Sequence, residues 1–413
     1  MVGIEDTFIV SPWPGTGRLL DEYELIGHYG RWKEDIDLIA SLGVKMVRYG
    51  VPWYRINPSP GRWEWKWADL PLERLLDRGI APIVDLVHYG VPAWMESAFG
   101  DADFPERMVE YAERLAERFR GRIYGYTPIN EPRITAWYCG RLGWWPPFYR
   151  GWRGFVRVLM QVCRAIVMTC RRLWLIDPDL VMIHVDAAEL YFSDQKSLDK
   201  EVKWRQQLIF LALDLIAGRI TDKHMFFPWL VRQGASVAEL EWFIEQYIEL
   251  DVIGLNLYPM FSNKRLIRTP RGLRGQMRYA SPILTSQLAR LYWKRYQKPI
   301  MITETASRHT VGRRQQWLKG SVAAIRKVRS QGVPVVGYTW WPVFGLIRWA
   351  YRQGQQPIGS YIEQMGLWDL QQDSDGKFQR VHTPLVDDYR NLVNGGHHPV
   401  SHLKQTSRAF PGQ

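Results

Sequence analysis

Short apolar runs rich in Val, Ile and Tyr alternate along this chain with stretches of helical period, and this alternation constrains the fold most. The stretch from Arg31 to Leu42 places apolar residues on one stripe and stops at Gly43, and the apolar run Val44 to Tyr49 follows it. The same pair recurs along the chain. The pattern predicts eight strands, at Phe8–Val10, Val44–Tyr49, Ala81–Val87, Ile123–Ile129, Val181–Val185, Val252–Leu257, Pro299–Thr303 and Val335–Thr339.

Strands that alternate with helices predict a parallel sheet, and eight such units predict an α/β fold closed into a (β/α)8 TIM barrel. The 413 residues suffice for such a barrel, and no linker rich in Ser, Gly or Pro divides them. The first predicted strand has no glycine-rich phosphate loop after it, which argues against a nucleotide-binding sheet. We therefore expect a single barrel domain over residues 1–394, with a basic elaboration at 263–278 after the sixth strand. The polar tail, 395–413, is expected to be disordered.

Composition indicates which classes of partner the chain is expected to bind. The chain has 54 Lys and Arg against 42 Asp and Glu, a net charge of +12 that favours acidic partners. Three cysteines are too few for a disulfide framework or a zinc site with paired ligands, so no metal or cofactor is expected. No apolar run reaches about 18 residues, and no signal-peptide pattern opens the chain, so we expect a cytoplasmic protein without a membrane span. Nucleic acid is not an expected partner, because the basic segment lacks interleaved aromatic residues.

Two carboxylates stand at the ends of predicted strands on opposite sides of the barrel. Glu131 follows the fourth strand, and Glu304 follows the seventh. In this fold the carboxyl ends of the strands carry the working groups, so both side chains are expected at one cleft. Paired carboxylates are the equipment of glycoside hydrolysis, in which one protonates the leaving oxygen while the other attacks the anomeric carbon or activates a water. A purely structural role, as salt-bridge partners, is the alternative.

Further motifs surround these two residues and follow one another along most of the chain. They occupy residues 29–35, 42–44, 87–94, 130–132, 253–258, 302–304 and 336–349. In kind and order they resemble the motifs of glycoside hydrolase family 1, which belongs to the clan A retaining β-glycosidases, and the chain looks like a divergent member. The resemblance implies a β-glucosidase- or β-galactosidase-like hydrolase that uses no cofactor. It also implies that Glu131 is the acid/base and Glu304 the nucleophile of a double displacement with retention of configuration.

The resemblance also implies roles for polar side chains around the sugar. Arg48 and Tyr258 would hold the charge and orientation of the nucleophile. Asn130 would bind the 2-hydroxyl and His88 the 3-hydroxyl, and Asn256 belongs to the motif of the sixth strand. A histidine that simply satisfies its hydrogen bonds in the core at the strand end is the alternative for His88.

Aromatic residues are candidates for stacking on the sugar. Trp341 and Trp349 would present flat faces to its apolar C–H surface, although packing within the loop is an alternative for either. Weaker candidates for the aglycone side are Trp94, Trp144 and Trp145.

Two departures from the family pattern concern the glycone pocket. The family usually carries a Gln at the end of the first strand, and the segment Phe8–Trp13 has none. It also carries a Glu just before the last Trp of the eighth-strand loop, where this chain has Arg348. Because Arg binds carboxylates and phosphates bidentately, Arg348 would favour an anionic sugar. The alternative is that Arg348 points to solvent or pairs with a nearby acid.

The sequence leaves three alternatives to hydrolysis by a family 1 enzyme. One is a transglycosylase with the same catalytic pair, and another is a non-catalytic sugar-binding relative. The third is a neighbouring clan A family with a different substrate. A carbohydrate is the expected partner in each case, and the sequence does not indicate an oligomeric state.

Overall fold

A closed barrel of eight parallel strands forms the centre of the computed structural model, which describes residues 1–395. We name its strands β1 to β8 in chain order. They are Val2–Gly3, Met46–Gly50, Ala81–Asp85, Gly125–Thr127, Val181–Ala187, Val252–Asn256, Ile300–Thr305 and Val335–Trp340. Each strand pairs with the next in parallel, and β8 pairs with β1 to close the ring. The predicted (β/α)8 fold is confirmed.

Helices connect consecutive strands of the barrel. The α-helices are Glu22–Leu25, His28–Ser41, Trp53–Ile56, Lys66–Asp77, Phe104–Arg118, Pro132–Ala136, Gly151–Ile176, Asp199–Leu208, Leu211–Ile216, Phe227–Arg232, Val237–Glu245, Ile283–Tyr296, Val311–Ser330 and Pro384–Asn394. The helix after β3 shows why the periodicity was informative, since it buries Met108, Tyr111 and Leu115 on one stripe and has a proline in its first turn. Shorter helical turns are Ala98–Gly100, Trp137–Leu142, Lys196–Leu198, Trp349–Arg352 and Ile358–Tyr361.

The first strand lies earlier in the chain than predicted. Val2 pairs with Val47 of β2 and Trp340 of β8, so the barrel begins there and not at Phe8–Val10. The segment Phe8–Ile9 instead forms a short antiparallel ribbon with Leu20–Asp21.

Close packing at Gly3 explains this position. A Cβ atom at Gly3 would lie 2.2 Å from Cζ3 of Trp341, so only glycine allows β1 to approach this ring. The residues at the carboxyl end of β1 are therefore Ile4, Glu5 and Asp6. The statement that the first strand ends without a Gln was based on Phe8–Trp13, which lies further along the chain.

The predicted basic elaboration is a β-hairpin. Strands Asn263–Thr269 and Gly272–Met277 pair antiparallel, and the first of them also pairs in parallel with Leu190–Phe192. Small two-stranded sheets elsewhere join Leu346–Ile347 to Ile362–Glu363 and Asp369–Gln372 to Phe378–Val381.

No helix within residues 1–395 combines the length and the apolar character that crossing a bilayer requires. The predicted polar tail, 395–413, lies outside the described residues apart from Gly395.

Candidate active site

Glu131 lies just beyond β4, in a backbone conformation that few side chains adopt. Its φ of 44° and ψ of 64° place it in the left-handed region, a cost of about 1–3 kcal/mol for a residue other than glycine. The amide of Glu131 donates to the carbonyl of Val185 in β5, and its carbonyl accepts from the amide of Thr135 in the following helix. These bonds hold the side chain at the carboxyl end of the barrel, where it is 8% exposed.

Glu304 lies in β7 and has hydrogen-bond donors on both carboxylate oxygens. Arg48, from β2, places Nη1 2.5 Å from Oε1 of Glu304. Tyr258, beyond β6, donates its hydroxyl to Oε2 at 2.7 Å. The Glu304 side chain is only 5% exposed, so both interactions act in a site with little water.

Glu131 is also held at both oxygens. Asn256 in β6 donates Nδ2 to Oε1 at 2.9 Å, and the hydroxyl of Tyr89 donates to Oε2. The carbonyl of Asn256 accepts from the hydroxyl of Thr303 at 2.8 Å, which fixes the orientation of the amide.

Asn130 connects the surroundings of the two glutamates. Its Oδ1 accepts from Nη2 of Arg48 at 2.8 Å and from Nδ2 of Asn256 at 3.1 Å. Because Arg48 contacts Glu304 and Asn256 contacts Glu131, one hydrogen-bonded chain links both carboxyl groups.

Burial and neighbouring charges shift the pKa of both carboxyl groups. Burial raises the pKa of Glu131, and it raises the pKa of Glu304 as well. The neighbouring charge of Arg48 lowers the pKa of Glu304, while the charge of Glu131 raises it. The contact with Arg48 favours the ionised form of Glu304, but burial and the charge of Glu131 outweigh it and raise the pKa of Glu304 to about 8.

Four polar residues that the sequence analysis did not single out complete the site. Three are acids, Glu5 and Asp6 at the end of β1 and Asp85 at the end of β3, and the fourth is Tyr89. The sequence signal for Glu5 and Asp6 was a short apolar run at the start of the chain that ends in these acidic residues. Tyr89 lay inside the motif at 87–94 and Asp85 inside the predicted strand Ala81–Val87, but a single sequence does not show which of these side chains faces the site.

His88 lies between the two aspartates. Its Nδ1 is 2.5 Å from Oδ1 of Asp6 and 3.0 Å from Oδ2 of Asp85, while its Nε2 is 2.9 Å from Nδ2 of Asn130. Arg48 also contacts Asp85. Among the described residues, Asp6, Asp85 and His88 form the one group whose spacing fits a metal ion. The ring of His88 lies against Oδ1 of Asp6 and Oδ2 of Asp85, while Oδ2 of Asp6 and Oδ1 of Asp85 are buried without a hydrogen-bond partner in the part of the chain that the structure describes.

Trp341 lies beneath this polar cluster. Its ring is stacked on His88 at 5.7 Å with an interplanar angle of 5°, and the guanidinium of Arg48 lies 4.6 Å from its centroid. The indole N–H donates to Oε2 of Glu5 at 3.0 Å. Trp341 is fully buried, so it packs within the polar network and offers no free face.

The other tryptophans divide between the site and its surroundings. Trp349 and Trp145 pack against the ring of Tyr89, with centroids 5.3 and 5.1 Å away. Trp144 is exposed, and Trp94 donates its indole N–H to the backbone carbonyl of Asn57.

Arg348 does not belong to the site. Its side chain is exposed, and Nη2 donates to the backbone carbonyl of Ser360 at 2.6 Å. The backbone amide of Arg348 donates to the carbonyl of Tyr361. These contacts favour the alternative that Arg348 points to solvent, and recognition of an anionic sugar by Arg348 stays a prediction.

The structure thus brings together most of the predicted residues in one connected network. Its members are Arg48, His88, Asn130, Glu131, Asn256, Tyr258, Glu304 and Trp341. Such a buried pair of carboxyls with unlike surroundings, at the catalytic end of a barrel, is suited to acid and nucleophile roles.

Comparison with known proteins also indicates a glycoside hydrolase. Residues 4–170 match the model of glycosyl hydrolase family 1. Over these residues the chain is similar to members of this family. Over 115 residues it is 35% identical to β-glucosidase A of Thermotoga maritima, and over 131 residues 33% identical to a bifunctional β-D-glucosidase/β-D-fucosidase of Bifidobacterium breve. The alignments cover 26% and 29% of this chain and 26% and 27% of those proteins.

The family 1 fold extends over a larger part of the chain than the sequence match. The structure of a β-glucosidase from Thermotoga maritima in complex with glucoimidazole superposes with a TM-score of 0.79 at 22% identity. The superposition covers 89% of this chain and 87% of that one. The chain thus shares the fold of that β-glucosidase along most of its length.

Proposed function

We propose that this chain hydrolyses a β-linked glycoside by double displacement with retention, using Glu304 as the nucleophile and Glu131 as the acid/base. The observation that carries the proposal is the pair of donors on Glu304. Arg48 and Tyr258 orient this buried carboxyl group and favour its ionised form, next to a second carboxyl group whose pKa burial raises.

In the first step, Glu131 gives its proton to the leaving oxygen while Glu304 attacks the anomeric carbon. The glycosidic bond breaks, and an ester between the sugar and Glu304 forms. In the second step, Glu131, now ionised, takes a proton from a water molecule that attacks the same carbon. The ester bond breaks, Glu304 becomes a carboxylate again, and the sugar is released.

The charges of the site favour a neutral glycone. Arg348 lies outside the site, while Glu5, Asp6 and Asp85 add three carboxyl groups to the catalytic pair. A sugar carrying a carboxylate or phosphate would meet this negative field without a free arginine to bind it. The relatives named above are β-glucosidases and a β-glucosidase/β-fucosidase, so nitrophenyl β-glucosides and β-fucosides are the first substrates to test.

Replacement of the proposed nucleophile tests the proposal. Glu304→Gln should reduce turnover of a nitrophenyl β-glycoside by several orders of magnitude, because an amide cannot form the glycosyl ester. Initial rates of the wild type and variant measure the effect on neutral and anionic glycosides in parallel. Glu106→Gln is the matched control, since Glu106 is exposed on the helix after β3.

Equal rates for Glu304→Gln and Glu106→Gln would contradict the proposal. Absence of turnover by the wild type, together with saccharide binding in calorimetry, would favour the non-catalytic alternative. Transfer of the glycosyl group to an added alcohol in preference to water would favour the transglycosylase.

A further inference from the structure

The hairpin after β6 is the most basic part of the described chain that the proposed chemistry does not use. We call residues 263–278 the basic hairpin. The sequence contains no Asp or Glu from Val252 to Thr303, so the hairpin brings no acid of its own. Its cations are Lys264, Arg265, Arg268, Arg271, Arg274 and Arg278.

Two of the six cations are neutralised by other parts of the chain. Lys264 lies 2.6 Å from Glu189, and Arg265 pairs with Asp194. The other four, Arg268, Arg271, Arg274 and Arg278, are exposed, and none forms an ion pair within residues 1–395. Four unpaired guanidinium groups on one hairpin produce a local positive field that acts over about a Debye length.

Exposed apolar side chains accompany these arginines. Met277, at the end of the second hairpin strand, is 62% exposed. Phe261 and Tyr279 flank the base of the hairpin and are also exposed, as is Ile283 at the start of the next helix. Isolated exposed apolar residues are ordinary, but a cluster of them beside unpaired cations is typical of an interaction surface.

The backbone holds the basic hairpin at the catalytic end of the barrel. The amide of Ser262 donates to the carbonyl of Tyr258, and the amide of Ala280 donates to the carbonyl of Pro259. Tyr258 is itself a contact of Glu304. The hairpin therefore begins and ends next to the candidate site, and Gly272–Met277 is an edge strand of its small sheet.

We propose that the basic hairpin docks this protein onto an anionic lipid bilayer. The four unpaired arginines bind headgroup phosphates, and Met277 with the neighbouring apolar side chains enters the interface. Arginine suits this task because its planar fork binds phosphate oxygens in pairs and its methylene stem tolerates an apolar environment.

A bilayer fits these observations better than nucleic acid does. Proteins that bind single strands stack successive bases on aromatic side chains, but Phe261 and Tyr279 stand only at the base of the hairpin and no Phe, Tyr or Trp lies among the arginines of 263–278. The apolar side chains that accompany the arginines would find no partner on a duplex backbone, while they gain free energy by entering the acyl boundary.

Vesicle sedimentation with the full chain tests this proposal. Vesicles of phosphatidylcholine with about one third phosphatidylglycerol should bind the wild type, vesicles of phosphatidylcholine alone should not, and added salt should weaken binding. Replacement of Arg268, Arg271, Arg274 and Arg278 by Gln should weaken binding by at least about tenfold. Met277→Gln should lower the fraction that remains bound at high salt, since the apolar contribution is not screened.

A matched control separates the hairpin from the net charge of the protein. Lys319, Arg326, Lys327 and Arg329 lie exposed on the helix Val311–Ser330, with no ion pair within residues 1–395. Their replacement by Gln removes the same four charges. It should leave vesicle binding close to that of the wild type, and circular dichroism should show both variants folded.

Three outcomes would overturn the proposal. The hairpin variant could bind vesicles as well as the wild type, or the control variant could lose as much binding as the hairpin variant. The third is binding of a DNA duplex with no binding to anionic vesicles, which would assign the surface to nucleic acid. Turnover of glycosides by the hairpin variant should match the wild type, so this test is independent of the catalytic proposal.

Discussion

Tyr89 is the residue whose importance only the structure showed. It follows His88 in a motif of the third strand, and its φ of 67° turns its hydroxyl toward Oε2 of Glu131. A donor on this oxygen stabilises the ionised form of Glu131, the proposed acid/base. Burial raises the pKa of Glu131, and the bond from Tyr89 keeps it lower than burial alone would.

Tyr89→Phe should therefore raise the pKa of Glu131. Because Glu131 must be protonated to act as the acid, the alkaline limb of kcat/KM for a nitrophenyl glycoside should move to higher pH. The pH–rate profiles of wild type and variant measure the shift. Tyr54→Phe, which removes a hydroxyl that contacts Asp21, serves as a control and should leave the limb in place. A shift to lower pH in Tyr89→Phe would contradict the assignment.

Glu131→Ala tests the acid role directly. Substrates with a poor leaving group should lose several orders of magnitude in rate, while dinitrophenyl glycosides, which need no protonation, should retain their glycosylation step. Added azide should then release a β-glycosyl azide, because this anion attacks the anomeric carbon in place of water, displaces Glu304 and needs no base to remove a proton. Product analysis by chromatography distinguishes this from hydrolysis, and equal loss on all leaving groups would argue against acid catalysis.

At the scale of elements, the ends of the barrel strands position the site. The ends of β4 and β7 were located from sequence because apolar runs end there in polar residues, so Glu131 and Glu304 could be named in advance. The end of β1 was missed, since its run is only two residues long in the structure and a more apolar segment follows at Phe8–Ile9. Three-dimensional packing at Gly3 selected the earlier segment.

Gly3→Ala should disturb β1 and the site together. The added Cβ would lie 2.2 Å from the ring of Trp341, which also stacks on His88. We expect overpacking to cost about 1–3 kcal/mol of unfolding free energy and to lower kcat/KM. Gly30→Ala is the control, since no neighbouring atom lies within 4 Å there and Ala favours its helix. Chemical denaturation and initial rates measure both effects, and equal stability of the two variants would contradict the packing argument.

At the scale of the whole molecule, a buried ion pair joins distant parts of the chain. Arg380, in the strand Phe378–Val381, binds both carboxylate oxygens of Asp35 at 2.7 and 2.8 Å. Asp35 lies in the helix His28–Ser41 and also contacts Nδ1 of His28 at 2.8 Å. The pair therefore links the end of the described chain to the first long helix of the barrel.

Arg380→Met should destabilise the fold strongly. It leaves Asp35 buried with one partner fewer, and breaking a buried pair in this way costs about 3–5 kcal/mol. Arg62→Met is the control, because Arg62 pairs with Glu64 on the surface and its loss should change stability little. Thermal and denaturant unfolding of the two variants measure the difference. An unchanged midpoint for Arg380→Met would show that the pair does not contribute to stability.

The barrel and its two central glutamates were determined by the sequence, because helical period, apolar runs and strand ends are local patterns that any barrel of this type must carry. The tertiary structure decided the contacts between residues far apart in the chain. It brought Glu5, Asp6, Asp85 and Tyr89 into the site, and it placed Arg348 outside. The physical reason is that close packing and backbone hydrogen bonds direct each side chain, and one sequence does not reveal which distant atoms supply them.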